Sequence, residues 1–418
     1  MRAFLQIFKL ELLAALRSKT IHIFTVSCIL WMLFGRHFLK GDDLQTYQLS
    51  VRYLLGVVFC VVLVALGSGA AGSVSGDRSA KRLQLTLIRP VPRCVIAMGR
   101  SLAIAVTGSF VLALALVLLW WCDGRGRTCD MVYSPALENP RLEAQRMFDN
   151  LIRTKEEFRS DVEKVGEHGV LKYLESLARD KYVTVDSGKS VYWTFDTVPG
   201  DVGSVKVRVR FDDSWGRTGN ISGVFAFRDR KGAVGNPVKS VCRVKLDQPC
   251  PGIENPAHLV FANNSNASLT LQPRNDLKLL VPAGGFADNA FRAWMMMSLS
   301  LLCVVSVGVF LGSCLGRSVA VFTLISMLCV AAVSPATMEE YPDPLNANAV
   351  TRFSVMLTEF SSWVTSPIDR FSPVSALESD ECIAWGDVGS VAVTGFLSLL
   401  LFSFASGFVM PRKGDVRS

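Results

Sequence analysis

Charge is what this chain most lacks. Only 19% of its 418 residues are Asp, Glu, Lys or Arg, against about 25% in an average soluble domain. Half are hydrophobic, and the mean hydropathy is +0.34. That balance disfavours an ordinary soluble protein and favours a membrane protein. Catalytic signatures are also missing. There is no G-x-x-x-x-G-K-[ST], so the chain does not itself cradle ATP phosphates. H-E-x-x-H and G-x-S-x-G are absent, and the four histidines, His22, His37, His168 and His258, are scattered. The neighbours Glu167 and His168 sit among many charges and read as a solvated pair. No catalytic residue, metal ligand or cofactor is expected on this chain. The longest apolar runs contain no Asp, Glu, Lys or Arg, which argues against a proton- or ion-coupled carrier with a charge relay at the midplane. Moving a substrate would need energy from a partner.

Long apolar runs are what the sequence does have. Charge-free stretches cover Tyr53–Gly76, Ser101–Cys122, Ala293–Gly316, Ser318–Met338 and Val388–Pro411, each near the roughly 20 residues a helix needs to cross a bilayer. A sixth, Thr20–Gly35, is shorter and contains His22. Ahead of it, residues 1–19 space Phe4, Leu5, Phe8, Leu12 and Leu16 along one helical face, as in an amphipathic interfacial helix. No small-residue cleavage pattern follows Leu33, so a retained anchor is expected rather than a signal peptide. Gly308, Gly312 and Gly316 form a doubled small-x-x-x-small ladder, which lets helices approach closely within the bundle or between two copies.

Orientation follows from Lys and Arg. With the N-terminus in the cytoplasm, the inner segments 1–19, 73–100, 315–318 and 411–418 hold fourteen basic residues, whereas the outer loop 337–387 holds only Arg352 and Arg370. Basic residues mark the cytoplasmic side. Because they gather at span ends, the net charge of +8 reads as topology and not as a nucleic-acid surface.

The block 123–290 is polar and has the length of a domain. It would face outward between the third and fourth spans. Residues 140–181 are helical in pattern, and 182–282 alternate at period two. In SVKVRVRF (204–211), Val205, Val207, Val209 and Phe211 share one face and Lys206, Arg208 and Arg210 the other. Several such strands predict an antiparallel β-sandwich or jelly roll. Tyr192, Trp193, Trp215 and Phe225 read as core more readily than as a sugar-binding face. Asn220, Asn263 and Asn266 begin N-x-Ser sequons. Of eleven cysteines, Cys122, Cys129, Cys242 and Cys250 bracket this block as candidate disulfides. The two local pairings, Cys122–Cys129 and Cys242–Cys250, are the expected ones.

The expected fold is thus an α-helical polytopic membrane protein of six spans carrying this insert, part helical and part β. Spans one to three lie in 20–122, four and five in 291–336, and six in 388–410. Residues 337–387 form an outer loop with an interfacial or re-entrant helix around 348–364, and 411–418 a cytoplasmic tail.

One inner stretch stands out. SVSGDRSAKRLQLTLIRPVPRCVIAMGR (73–100) has an acidic-basic start, Asp77 and Arg78, then an apolar centre, Leu83, Leu85 and Leu87. A turn follows at Arg89, Pro90, Val91 and Arg93, and Gly99-Arg100 enters the next span. This pattern resembles the loop between the second and third spans of type II ABC exporter permeases. Two departures from that family are the Lys81-Arg82 pair, where Gly-Thr is usual, and the large insert, where a short loop is usual. The resemblance implies that Asp77, Arg78, Leu83, Leu85, Leu87, Arg89, Pro90, Val91 and Arg93 form a coupling helix. It would dock on a separate cytoplasmic ABC ATPase holding ATP and Mg, in a homodimer or heterodimer of permease chains within a plasma membrane such as the bacterial inner membrane. Two further readings are a membrane scaffold or sensor displaying the β domain, and an ectodomain enzyme.

Overall fold

Inside a bilayer no water is available to satisfy backbone N–H and C=O groups, so apolar runs of this length close their hydrogen bonds within a helix. A computed structural model describes residues 2–38, 44–79, 92–124, 126–137, 139–154, 162, 167–179, 181, 183–195, 202–210, 221–228, 238–242, 245–253, 257–264, 268–338 and 373–409. In chain order these give α1 (Arg2–Arg17), α2 (Lys19–Phe38), α3 (Leu44–Leu49), a π-helical turn at Ser50–Leu55, α4 (Gly56–Ser79) and α5 (Arg93–Leu119). A second π-helical turn (Trp120–Gly124) leads to β1 (Thr128–Tyr133), α6 (Pro140–Thr154) and α7 (Glu167–Arg179). Then follow β2 (Val183–Val185), β3 (Ser190–Phe195), β4 (Val202–Arg210), β5 (Ile221–Arg228), β6 (Val238–Cys242), β7 (Lys245–Ile253), β8 (Ala257–Asn263) and β9 (Leu269–Leu271). The chain ends with α8 (Pro273–Asp276), β10 (Leu277–Gly285), α9 (Phe286–Cys314), α10 (Arg317–Met338), α11 (Pro373–Glu378) and α12 (Trp385–Val409).

Two units emerge among the described residues: those up to Cys129 together with those from Gly284 onward, and Asp130–Ala283. The first is a helix bundle. Five helices are long and apolar enough to cross a membrane: Lys19–Phe38, Tyr47–Gly76, Arg93–Cys122, Phe286–Cys314 and Trp385–Val409. Six spans were expected from the sequence. The expected span not among these five is the fifth, Ser318–Met338, which corresponds to α10, of which Arg317–Cys329 is a shorter apolar run. The second span starts earlier than expected, because helical backbone runs continuously from Leu44 through the first π turn into α4.

α9 is the centre of this bundle and packs on α4, α5 and α12. Its contact with α4 is a backbone contact. A Cβ on Gly308 would stand 2.6 Å from the Gly67 carbonyl oxygen, and one on Gly312 would overlap the Ala71 carbonyl oxygen. Gly316 meets nothing within 4 Å. Small residues at such a crossing let dispersion act over a large area where no hydrophobic drive operates between helices in lipid. Polar groups add to it: Ser109 and Ser298 share a 2.8 Å hydrogen bond, and Trp294 Nε1 donates to the Ser109 carbonyl at 2.9 Å. The outward faces are apolar; on α12 alone, Val393, Leu397, Leu400, Phe404 and Phe408 are exposed, which suits a lipid environment.

The second unit is built on antiparallel strands. One sheet runs β1-β10-β4-β7, another β3-β8-β5-β6, and β2 pairs with β9. Alternation puts Trp193 and Phe195 of β3 inward while Tyr192 is exposed. Together with Val207 and Val209 of β4, Leu259 and Phe261 of β8, and Leu277 and Leu279 of β10, they make one apolar core shared by both sheets. Arg208, expected on the outer face of β4, is buried; the backbone position opposite it on β7 is that of Asp247. α6 and α7 pack on each other through Ala144, Phe148, Val170 and Leu174. Asn263, first residue of a sequon, is buried and donates from Nδ2 to the Val185 carbonyl at 2.8 Å, which leaves it no room for a glycan.

Candidate functional site

The stretch 73–100 leaves the bundle at the end of α4, which carries Arg78, and rejoins it at the start of α5, which carries Arg93 and Arg100. Asp77 and Arg78 lie in the last turn of α4. Leu83, Leu85, Leu87, Arg89, Pro90 and Val91 lie outside the described residues, as do Lys81 and Arg82. Pro92 then sets the extended N-cap of α5, where the missing proline N–H costs nothing, and Arg93 begins the helix. Arg93 and Cys94, with Phe404, Gly407 and Phe408 of α12, line a cleft of about 290 Å³. Arg317, the first residue of α10, lies against α4: a Cβ on Gly72 would be 3.4 Å from its Nε.

Two turns into α5, the bundle holds a largely buried ion pair. Arg100 Nε and Nη2 both donate to Oε1 of Glu11 on α1, at 3.0 and 2.8 Å, with only 11% of the Arg100 side chain exposed. Gly99 makes this possible. A Cβ there would come within 3.0 Å of Ile7 and 3.5 Å of the Phe8 backbone nitrogen, so α1 lies directly on the α5 backbone. A charge-assisted pair held from two guanidinium nitrogens fixes orientation as well as distance. α1 is therefore fastened to the helix into which the 73–100 stretch runs. Sequence reasoning used Gly99 and Arg100 only as part of a pattern and overlooked Glu11 as a partner. The available signal was that Glu11 is the sole acid among residues 1–19.

At the opposite ends of the same helices a second polar cluster surrounds α11. That helix ends in a Schellman motif: Glu381 N donates to Ala376 O at 2.8 Å and Asp380 N to Leu377 O at 3.3 Å, with Asp380 at φ 55°. Aspartate tolerates the left-handed region better than most residues. Asp380 is paired with Arg127 at 3.4 Å, whose guanidinium stacks 3.7 Å above the Tyr47 ring. Tyr47 is buried and donates its hydroxyl to the Leu377 carbonyl at 2.9 Å. From α9, Asn289 donates to the Glu381 carbonyl and accepts from the Ile383 N–H, at 2.8 and 2.9 Å. Arg292 Nη1 donates to the Ile383 carbonyl at 2.8 Å, and its Nη2 pairs with Asp288. The chain just before α12 is thus tied to α3, to Arg127 just ahead of β1 and to α9.

The expected Cys122–Cys129 disulfide is not formed. Both thiols are free; the π turn leaves Cys122 exposed, whereas β1 buries Cys129. The side chains of Cys242 and Cys250 lie outside those described; their backbones sit on β6 and β7, in different sheets. The helix expected around 348–364 also falls outside the described residues. An apolar groove of about 370 Å³ lies between α5 and α9, lined by Leu116, Val117, Trp120, Phe291 and Trp294 among others. Among the described residues no three of His, Cys, Asp and Glu converge as metal ligands.

Comparison of the chain with protein families, with curated proteins and with solved structures returned no match.

Proposed function

We propose that this chain is the membrane subunit of an ABC-type exporter, receiving work through residues 77–93 from a separate cytoplasmic ATPase. In this reading α10 is the fifth crossing, completing six, both termini are cytoplasmic, and the two sheets form an extracytoplasmic sandwich. The observation that carries it is the Glu11–Arg100 pair over Gly99. Force applied where the stretch enters α5 would reach α1 and α5 as one body and pass to α9 and α12, against which α5 packs. ATP and Mg would be held by the partner. Arg93, Arg100 and Arg317, gathered at the same helix ends, agree with a cytoplasmic placement of those ends.

Co-purification tests it. The full chain should bring down an ATPase, and joint replacement of Arg89, Pro90 and Arg93 by alanine should release that partner without unfolding the chain. A well-folded protein that captures no ATPase would turn the assignment towards a membrane scaffold or sensor. Placement is read separately: an impermeant maleimide added to intact cells should label the exposed Cys122 and never Cys94.

A further inference from the structure

The cleft at the start of α5 has two walls of different chemistry. One is cationic: Arg93 is half-buried in it beside Cys94. α5 carries no acid in its first turn, so the Arg93 charge adds to the positive end of the helix dipole instead of offsetting it. The other wall is aromatic. Phe404 and Phe408 of α12 meet edge to face with ring centroids 4.9 Å apart, and both are exposed. Between the walls, Gly407 lets the two helices touch: a Cβ on it would stand 3.2 Å from the Cys94 backbone nitrogen. The aromatic wall continues beyond the cleft. Val393, Leu397, Leu400, Phe404 and Phe408 are exposed at spacings of three and four residues, so one apolar stripe runs along α12 and ends beside Arg93.

We propose that this cleft holds an anionic membrane glycerophospholipid, with its phosphate against Arg93 and an acyl chain along the exposed stripe of α12. α5 and α12 are both long and apolar enough to cross a membrane. The cleft lies between the first residues of one and the last turns of the other, at the depth where headgroups sit. Basic pockets between spans bind anionic headgroups, and a guanidinium suits phosphate because it offers paired donors in one plane. A volume of about 290 Å³ is at the small end of ligand pockets. It admits a headgroup and leaves the chains outside, where the stripe receives them. A soluble anion would use the cation and gain nothing from Phe404 or Phe408, whereas a lipid uses both. A lipid seated here would brace α5 against α12 at the point where residues 73–100 rejoin the bundle. The site depends on these two helices crossing a membrane and not on the exporter assignment.

The native thiol of Cys94 reports on the cleft without any substitution. The full chain in a neutral detergent is treated with N-ethylmaleimide in the presence of dioleoylphosphatidylglycerol or of dioleoylphosphatidylcholine, whose choline cancels the phosphate charge. Alkylation is followed by mass spectrometry of the tryptic peptide bearing Cys94, which is Cys94–Arg100 in the wild type and contains no other cysteine. The exposed Cys122, at the far end of the same span, is the internal reference. Phosphatidylglycerol should slow alkylation of Cys94 relative to Cys122, and phosphatidylcholine should do so much less. Arg93→Gln removes a charge-assisted contact and should raise the lipid concentration giving half-protection by roughly tenfold. Phe408→Ala, at an exposed position, should raise it by less. No protection, or equal protection by the two lipids in the wild-type chain, would overturn the proposal, whether or not the Arg93 variant folds. Equal protection by glycerol 3-phosphate or inorganic phosphate would assign the cleft to a bare anion and overturn the lipid. The chain is measured alone, so failure to capture an ATPase leaves this result untouched, and absence of protection leaves the ATPase assignment standing.

Discussion

The helix bundle and the sheet unit solve the same problem in opposite ways. In the sheet unit, large side chains meet at the centre: Phe195, Phe261, Leu259, Leu277 and Leu279 are all fully buried. Removing them from water supplies the drive, at about 25 cal/mol per Å² of apolar surface. In the bundle a close helix contact has almost no side chain in it, since Gly308 and Gly312 bring α9 onto the α4 backbone, while many large residues point outward. Where lipid is the solvent, burying a leucine gains little, and close fit together with a few polar ties has to hold the helices. The sheet unit should therefore be sensitive to lost volume, and the bundle to added volume.

Gly312→Leu should break the bundle outright. The new side chain would start inside the Ala71 carbonyl, and backbone cannot step aside as a side-chain tip can, so the cost exceeds the about 1–3 kcal/mol of ordinary overpacking. Folded, monodisperse protein should be lost in size-exclusion chromatography. Gly316→Leu, on the same ladder but with nothing within 4 Å, should elute like the wild type. Equal behaviour of the two variants would remove the distinction between added volume at a contact and at a free position.

Phe261→Ala is the complementary change. Deleting a fully buried ring costs about 3–5 kcal/mol, so the melting transition followed by tryptophan fluorescence should fall by several degrees. Trp193 lies in the same core and reports on it. A melting point unchanged by this truncation would show that the shared core is not what holds the two sheets.

Much of this contrast was legible in the sequence, and for a physical reason. A bilayer demands unbroken apolar length, so the helices Tyr47–Gly76, Arg93–Cys122, Phe286–Cys314 and Trp385–Val409 announce themselves through the long charge-free runs each contains. Period-two alternation likewise marks strands such as Val202–Arg210. What could not be read were pairings that only tertiary structure brings about. Glu11 meets Arg100 across 89 residues and Arg127 meets Asp380 across 253, and neither leaves a local signal. Arg208 misled because its charge suggested an outward face, whereas β4 buries it. The cysteines misled as well: nearness of Cys122 and Cys129 in sequence suggested a pair, but Cys122 is exposed and Cys129 buried, both as free thiols.

Glu11→Gln should have a smaller effect than the core truncation. It leaves Arg100 largely buried and without its carboxylate, a cost of about 2–3 kcal/mol for a pair that is still partly reached by solvent. The melting point of the full chain in detergent should fall, and protease susceptibility near the N-terminus should rise as α1 loosens from α5. Arg100→Lys should recover only part of the loss, because one ammonium cannot reproduce the two guanidinium donors on a single oxygen. Full recovery by lysine would mean that only charge, not orientation, holds α1.

The smallest effect belongs to the sheet unit's surface and depends on pH. Asp186, beside the turn from β2 to β3, accepts from Lys189 Nζ at 2.6 Å and from Ser268 Oγ at 3.1 Å. The Lys189 hydrogen bond, then that of Ser268, hold its carboxyl below the ordinary carboxylate value. A carboxylate whose folded pKa is depressed adds stability above its unfolded pKa of about 3.9 and loses it as pH falls through the folded value. Asp186→Asn should thus lower the melting point slightly at pH 7 and progressively less as the pH is taken below about 4, where the wild-type carboxylate is itself protonated. The pair is fully exposed, so salt should erase most of the difference at pH 7. A substitution effect as large at pH 3 as at pH 7, or indifferent to salt, would place the contribution of Asp186 in the geometry of the turn, where Gly188 sits at φ +73°, and not in its charge.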